Sequence, residues 1–361
     1  MLSSCVDTYA VKGEGTPQAT WRDIMAGETI LVVGGAGYIG SHMVLDLLQA
    51  GHEVVVLDNL SRGHRDLLVG GTFIEGDLGD ATLLDRVFTQ HRISAVMHFA
   101  AFSLVGESVS KPLDYYRNNV SNTVELLAAM ARHRVRYFIF SSTAAVYGEP
   151  RAAKPLLEND PCLPANPYGA TKFAVERMLA DNAAASDFRF VSLRYFNAAG
   201  ADPSGRIGER HRPETHLIPL VLKVATGERE SIQLYGTDYP TSDGTCIRDY
   251  VHVSDLAQAH LLALEQLLKG RHSAVYNLGN NRGYSVREVV EIARRITNHP
   301  IPATVAERRP GDPAFLVADS SKIRRDLGWK PRYESLETII EMAWAWHQKE
   351  AARNAVASAP K

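Results

Sequence analysis

Glu28-Thr29-Ile30-Leu31-Val32-Val33 runs directly into Gly34-Gly35-Ala36-Gly37-Tyr38-Ile39-Gly40. The first part is a short apolar run, as expected of a buried strand in a parallel sheet. Three glycines, at 34, 37 and 40, follow at once and open a helix predicted over 40–50. In that order each has a physical use. Gly34 allows the turn, Gly37 lets backbone approach a pyrophosphate, and Gly40 lets helix and strand pack closely. The stretch predicts a dinucleotide loop, with Tyr38 and Ile39 on the cofactor side.

The pattern continues outward from this loop. Gly51 stops the helix, and a second strand over 52–57 ends at Asp58. Further strands are expected over 72–75, 95–99, 136–141 and 190–193, with helices over 81–91, 115–133 and 168–182 between them. Alternating β and α with apolar strands predicts an α/β fold, a Rossmann-like doubly wound parallel sheet. After residue 196 prolines and glycines thicken, at Asp202-Pro203-Ser204-Gly205, Arg212-Pro213 and Tyr239-Pro240. Shorter pieces follow, including a helix over 254–269 and a strand over 274–278, and predict a smaller mixed α/β C-terminal substrate lobe. The expected organisation is a disordered leader at 1–27 and a cofactor domain at 28–196. Residues 197–350 form mainly the substrate lobe, with some chain returning to the first domain, and 351–361 a frayed tail.

Asp58, 18 residues beyond Gly40, is the acid expected on the adenosine ribose. Its charge would repel a 2′-phosphate, so NAD is favoured over NADP. Asn59 adjoins it. Asp77-Leu78, after the third strand, fits an adenine-side pair, although Asp77 could instead cap the helix over 81–91. Phe99-Ala100-Ala101 ends the fourth strand with small residues that let a dinucleotide lie across it.

Tyr168-Gly169-Ala170-Thr171-Lys172 carries the chemistry. Residues four apart share a helix face, so phenol and ammonium can meet in one site. A nearby cation favours phenolate and would lower the tyrosine pKa from about 10. Ser141-Ser142-Thr143 ends the fifth strand beside the expected nicotinamide position. Thr143, Tyr168 and Lys172 thus form a proton-handling triad for hydride chemistry at a carbinol.

At this point the chain resembles the extended short-chain dehydrogenase/reductases and, among them, the sugar-nucleotide 4-epimerases. The resemblance covers nearly everything from Thr29 to about His347. It rests on 34–40 with Ser41-His42, Leu57-Asp58-Asn59-Leu60, His98-Phe99-Ala100-Ala101 and Val105-Gly106-Glu107-Ser108-Val109. It continues through Tyr115-Tyr116-Arg117-Asn118-Asn119-Val120, Phe140-Ser141-Ser142, Val146-Tyr147-Gly148, Leu193-Arg194-Tyr195-Phe196-Asn197 and Arg248-Asp249-Tyr250-Val251-His252-Val253.

The resemblance implies inversion at C4 of a UDP-hexose through a 4-keto intermediate, with tightly bound NAD regenerated each turnover. It gives Tyr168 the proton of the 4-hydroxyl. Lys172 holds the nicotinamide ribose and lowers the Tyr168 pKa, and Thr143 bridges the 4-oxygen. Asn118, Ser141 and Tyr195 fall on the cofactor side. Asn197 and Arg248 face the diphosphate, Arg309 and Asp312 the phosphate and uridine ribose, and Tyr235 and His216-Leu217 the uracil. A homodimer paired through the helices over 115–133 and 168–182 is also implied. Leu316 aligns with a position that sets sugar-pocket size, which brings UDP-N-acetylhexosamines within reach. Ser103 stands where some relatives place a cofactor-side lysine, and Val33 where a threonine commonly precedes the glycines.

Three rivals bear weighing. A 4,6-dehydratase needs an Asp-Glu pair after the hydroxyl residue, where this chain has Ala144-Ala145. A UDP-pentose 4-epimerase would use the same residues. A dinucleotide-sensing module without catalysis would have little reason to keep the triad. A net charge of −2 offers nothing to nucleic acid or an anionic membrane. No apolar run reaches the length of a transmembrane helix, and no signal-peptide core is found in the first 27 residues. Cys5, Cys162 and Cys246 show neither disulfide framework nor metal spacing, which suits a reducing cytoplasm. His211 and His216 form a conceivable metal pair, but no acid or cysteine is read as completing it, and no metal is assigned.

Overall fold

The computed structural model describes residues 27–357 apart from 151 and 310, with side chains up to 353. The expected leader, but for Gly27, and the last four residues lie outside the described residues. The first half of the chain alternates strand and helix, except that β3 follows β2 without an α-helix between them. It runs β1 (Thr29–Val33), α1 (Tyr38–Gln49), β2 (Glu53–Asp58), β3 (Thr72–Glu75), α2 (Ala81–Gln90) and β4 (Ile93–His98). Two short helices follow, α3 (Val105–Ser110) and α4 (Pro112–Tyr116), then a π turn (Arg117–Ser121) leading into α5 (Asn122–Arg132). β5 (Tyr137–Thr143), α6 (Pro167–Ala185) and β6 (Arg189–Tyr195) complete this half.

The second half is less regular. It contains β7 (Asn197–Ala199), α7 (Leu217–Ala225), β8 (Ile232–Tyr235), β9 (Ile247–His252), α8 (Val253–Leu268) and β10 (Ala274–Leu278). β11 (Gly283–Ser285), α9 (Val286–Thr297), β12 (Ala303–Ala306), β13 (Phe315–Leu316), α10 (Ser321–Leu327) and α11 (Leu336–Ala357) follow.

The main sheet has seven strands in the order β10-β6-β5-β4-β1-β2-β3, all parallel. Period-2 alternation in β1 explains why its run is wholly apolar. Ile30 and Val32 pack with Met43 and Leu47 of α1 and Leu256 and Leu264 of α8 on one face. Leu31 and Val33 pack with Leu84 of α2, Leu126 of α5 and Leu179 of α6 on the other. The doubly wound sheet is the predicted one. Beside it, β7, β11 and β13 gather on β9, and β12 pairs with β8.

Three sequence readings are corrected. The strand over 274–278 and the helix before it, assigned to the smaller lobe, belong to the large sheet. β10 pairs with β6, and α8 packs on the same face as α1. The helix predicted over 115–133 is interrupted by the π turn, an insertion type that often sits at functional positions. The tail expected to fray after Glu350 is helical through Ala357. Alanine favours helix, and ion pairs from Arg210 to Glu350 (2.6 Å) and from Arg353 to Asp66 (3.0 Å) anchor the last described turns.

Candidate active site

Four of the parallel strands, β1 to β4, direct their C-terminal ends at one groove of about 640 Å³. Its lining includes Gly34, Gly37, Asp58, Asn59, Asp77, Leu78, Phe99, Ala100, Ala101 and Asn118. Ten of the predicted cofactor-side residues are therefore in one place. The glycines matter there for steric reasons. At Gly34 (φ +81°) a Cβ would lie 2.4 Å from the Ala100 nitrogen, and at Gly40 2.1 Å from the Gly34 carbonyl oxygen. At Gly37 the nearest atom would be 3.4 Å away, so the backbone there is open to a ligand. Gly37 is also the N-cap of α1 and supplies no side chain. The first N–H groups of α1 are thus left for an anion.

Asp58 is buried, which raises its pKa, against hydrogen bonds from Leu60 and Ala36. Its Oδ2 accepts from Ala36 N (2.9 Å) and its Oδ1 from Leu60 N (2.8 Å). A carboxylate has capacity beyond two such bonds, so hydroxyls can still be accepted. Asp77 accepts from Asn59 Nδ2 (2.7 Å) and from Gly79 N (2.8 Å). The cap of α2 is Asp80, which accepts from Leu83 N at 3.0 Å, so the capping alternative for Asp77 is set aside. The donor set, the open helix end and the close-packed glycines all fit a dinucleotide. Tyr38 turns away from the groove, its hydroxyl donating to Gly200 O at 2.7 Å, and Ile39 packs against the core.

Next to β4 in the sheet, β5 ends in Ser141, Ser142 and Thr143. α6 starts at the Asn166 cap, whose Oδ1 accepts from Gly169 N (2.9 Å), with Pro167 at its first position. This places Tyr168 in the first turn and Lys172 in the next. Burial raises the Tyr168 pKa, and the hydroxyl of Thr143 opposes that rise. The expected depression by Lys172 is not seen, and the geometry gives the reason. Lys172 Nζ donates to Ser141 O (2.7 Å) and sits 4.8 Å from the centre of the Phe140 ring. Burial lowers the Lys172 pKa to about 7, with Glu176 working the other way.

A test follows from that shift. The unfolded chain binds a proton at lysine up to about pH 10.4, the folded chain only below about 7. Between those values the unfolded state holds more protons, so this group makes stability rise with pH. Lys172→Met is expected to flatten the slope of unfolding free energy between pH 7 and 9, measured in urea. An unchanged slope would place the Lys172 pKa near that of an ordinary lysine.

Tyr195 lies at the end of β6, where its hydroxyl meets Ser141 and His260 Nε2, the latter at 3.5 Å. The sequence reading missed what holds these strands and helices together. Glu176 and Arg194 form a buried ion pair (2.6 Å), Ser142 Oγ donates to Glu176 Oε1 (2.6 Å), and Arg194 donates to the Tyr147 hydroxyl (2.9 Å). Asn119, in the π turn, accepts from Phe102 N (2.8 Å) and donates to Phe102 O (3.0 Å) and Thr171 Oγ1 (3.1 Å). It thereby ties the groove wall to α6, while Asn118 faces the groove. A pair of asparagines in a predicted helix interior was the available signal, since asparagine is a poor helix former.

The predicted substrate side is only partly brought together. Arg248 donates to Asp312 Oδ1 (3.2 Å) and Pro313 O (2.7 Å). Arg309 donates to Asp312 Oδ2 (3.0 Å) and stacks 4.6 Å from the centre of the Tyr235 ring. Asn197 begins β7 and pairs with Tyr250, two residues along β9 from Arg248. Leu217 opens α7 and packs into the smaller lobe's core. His216, read as uracil-side, instead contacts Glu209 and Glu214. The view that no acid accompanies His211 and His216 is corrected, because the fold brings in both glutamates.

A dinucleotide groove at the carboxyl ends of a doubly wound sheet, with a Tyr-x-x-x-Lys whose lysine is buried and a hydroxyl at the end of the neighbouring strand, defines a short-chain dehydrogenase/reductase-like enzyme. Residues 30–279 match the NAD dependent epimerase/dehydratase family. The chain is 58% identical, over 89% of its length and 96% of the relative's, to the UDP-glucose 4-epimerase of Halalkalibacterium halodurans. A crystal structure of a UDP-glucose 4-epimerase, 56% identical, superposes with a TM-score of 0.87 over 90% of this chain and 98% of that one. The Stenotrophomonas maltophila UDP-glucose 4-epimerase, solved with NAD and formylated UDP-arabinopyranose, is 39% identical, with a TM-score of 0.87 over 90% and 99%. The chain belongs to the NAD-dependent epimerase/dehydratase family and, within it, to the UDP-glucose 4-epimerases.

Proposed function

We propose that Tyr168, Thr143 and Lys172 carry the NAD-dependent inversion of configuration at C4 of a UDP-hexose, interconverting UDP-galactose and UDP-glucose. Tyr168 removes the proton from the 4-hydroxyl as the C4–H bond breaks, leaving a 4-ketose. A bound NAD would supply a reversible hydride acceptor for C4, so that no net redox change would remain. The ketose turns and presents its other face, and Tyr168 then returns the proton to the 4-oxygen. Thr143, already in contact with the phenol, bridges that oxygen. Lys172 holds the nicotinamide ribose. Gly34, Gly37, Gly40, Asp58, Asn59 and Asp77 hold the remainder of the dinucleotide. Arg248, Arg309, Asp312 and Tyr235 hold the UDP portion.

The observation that carries this reading is the meeting of Tyr168 with Thr143 at the end of β5, the strand next to the groove-lining β4. The test is to incubate purified protein with UDP-galactose, without added NAD, and to look for UDP-glucose. Conversion without net NADH formation is expected. No conversion of any UDP-hexose or UDP-pentose ends the reading.

Leu316 favours a second substrate. It pairs with Arg248 and packs with Cys162, Phe173 and Phe196 beside Val146 and Tyr147. By the family resemblance this position sets sugar-pocket size, and a leucine is smaller than the tyrosine some relatives carry there. UDP-N-acetylglucosamine is expected to be epimerised, and Leu316→Tyr to cut that turnover by about tenfold or more while sparing UDP-galactose. No wild-type turnover of the N-acetylated sugar would exclude this extension.

A homodimer in the cytoplasm completes the proposal. Val105, Val109, Leu113, Tyr116 and Val124 are exposed along α3, α4 and α5, which supports a paired helical face there. Among the described residues no helix is long and apolar enough to cross a membrane.

A further inference from the structure

We propose that Glu209, His211, Glu214 and His216 form a structural zinc site that pins the loop before α7 against the cofactor-binding half of the molecule. Each of the four offers one donor atom, and these atoms all lie within 4.8 Å of one another. A tetrahedral zinc with bonds of about 2.0–2.2 Å sets its donors roughly 3.3 Å apart. His211 Nδ1 lies 3.1 Å from Glu209 Oε1 and 3.6 Å from Glu214 Oε2, on either side of that spacing. His216 Nδ1 closes on the same Glu209 oxygen.

The donors are aimed as a coordination site requires. Glu214 Oε1 accepts from the backbone N–H groups of Thr215 (2.8 Å) and His216 (2.9 Å), which leaves Oε2 turned inward. His211 Nδ1 is sealed from solvent, and Glu209 Oε1 and Glu214 Oε2, its nearest acceptors, lie off the direction of a good hydrogen bond. An imidazole nitrogen sealed among acids without a well-directed hydrogen bond is placed to take a metal. Once a metal displaces the imidazole protons, two neutral imidazoles and two carboxylates sum to −2, the charge a divalent cation neutralises. The guanidinium of Arg210, between two of these donors in the chain, turns away to Asp66 and Glu350. Imidazole donors select zinc over magnesium or calcium, which prefer all-oxygen sets.

The surroundings give the ion a mechanical role. The His211 ring stands edge-on to Tyr38 of α1, with centroids 6.0 Å apart. The Glu209 carbonyl accepts from Trp346 of α11 (3.0 Å). The Arg210 and Arg212 carbonyls contact His64 (3.1 Å) and Arg62 (3.3 Å), and Arg62 lines the cofactor groove. An ion here fastens one loop to three parts of the fold.

The test uses the full chain without an affinity tag, stripped with a chelator and given zinc alone. One zinc per chain is expected to survive gel filtration, as counted by mass spectrometry. Cobalt in its place is expected to give the strong visible bands of a four-coordinate site. His211→Gln and Glu214→Gln are each expected to weaken zinc retention at least about tenfold. A wild type that keeps no zinc, or variants that keep it equally well, overturns the proposal. Should a variant not fold, the wild-type cobalt spectrum decides, and a weak six-coordinate spectrum or none overturns it. None of these measurements depends on epimerase turnover.

Discussion

Tyr168→Phe is expected to lower turnover by about 10²–10⁴-fold while NAD stays bound, because only the proton-transferring oxygen is removed. The ring keeps its packing, and Lys172 keeps its bond to Ser141 O. The loss should therefore fall on kcat, with cofactor content unchanged when the nucleotide is released by denaturation and measured. The raised Tyr168 pKa makes this variant informative. A phenol that burial holds protonated needs its surroundings to favour phenolate at the moment of reaction, and Thr143 is the contact already doing so. Wild-type rates in Tyr168→Phe would remove Tyr168 from the role of base.

Glu176→Gln carries the largest expected effect on stability. Arg194 and Glu176 are 5% and 4% exposed at the side chain and 2.6 Å apart. Removing one charge of such a pair leaves the other buried and uncompensated, at a cost of about 3–5 kcal/mol. Ser142 also loses its carboxylate partner, so β5 loosens directly beside Thr143. The measurement is urea unfolding of wild type, Glu176→Gln and the double variant Glu176→Met/Arg194→Met. The double variant should recover much of the loss, because it removes the stranded charge. A Glu176→Gln loss below about 1 kcal/mol would show that the pair is structurally dispensable.

What the sequence made legible follows from how local the signals are. The glycine loop, the apolar strands and the Tyr-x-x-x-Lys spacing are each written in a few adjacent residues, and each was found. Asp58, Asp77 and Phe99–Ala101 could be placed because each ends a strand of a recognisable βα unit. Contacts between distant segments were not legible. The charges of Glu176 and Arg194 give no sign of their pairing until α6 and β6 pack together. Glu209 and Glu214 sit within a few residues of His211 and His216, yet an irregular loop has no period from which to read convergence. Lys172 was misjudged for the same reason. Spacing puts it on the Tyr168 face, but the carbonyl of Ser141, on another element, decides where its ammonium goes.

The position of β10 has a consequence for how the chain is made. Its partner β6 ends at Tyr195, and β10 begins only at Ala274. At about 5–20 residues per second, a ribosome leaves the outer edge of β6 open for several seconds. An unpaired edge rich in Phe, Val and Leu invites pairing with other chains, so this interval is when the nascent protein is most exposed to aggregation. Chains stalled before residue 274 are expected to be cut readily by protease within β5 and β6, and chains stalled well beyond 278 to resist. Equal sensitivity in the two would mean that the sheet settles without its last strand.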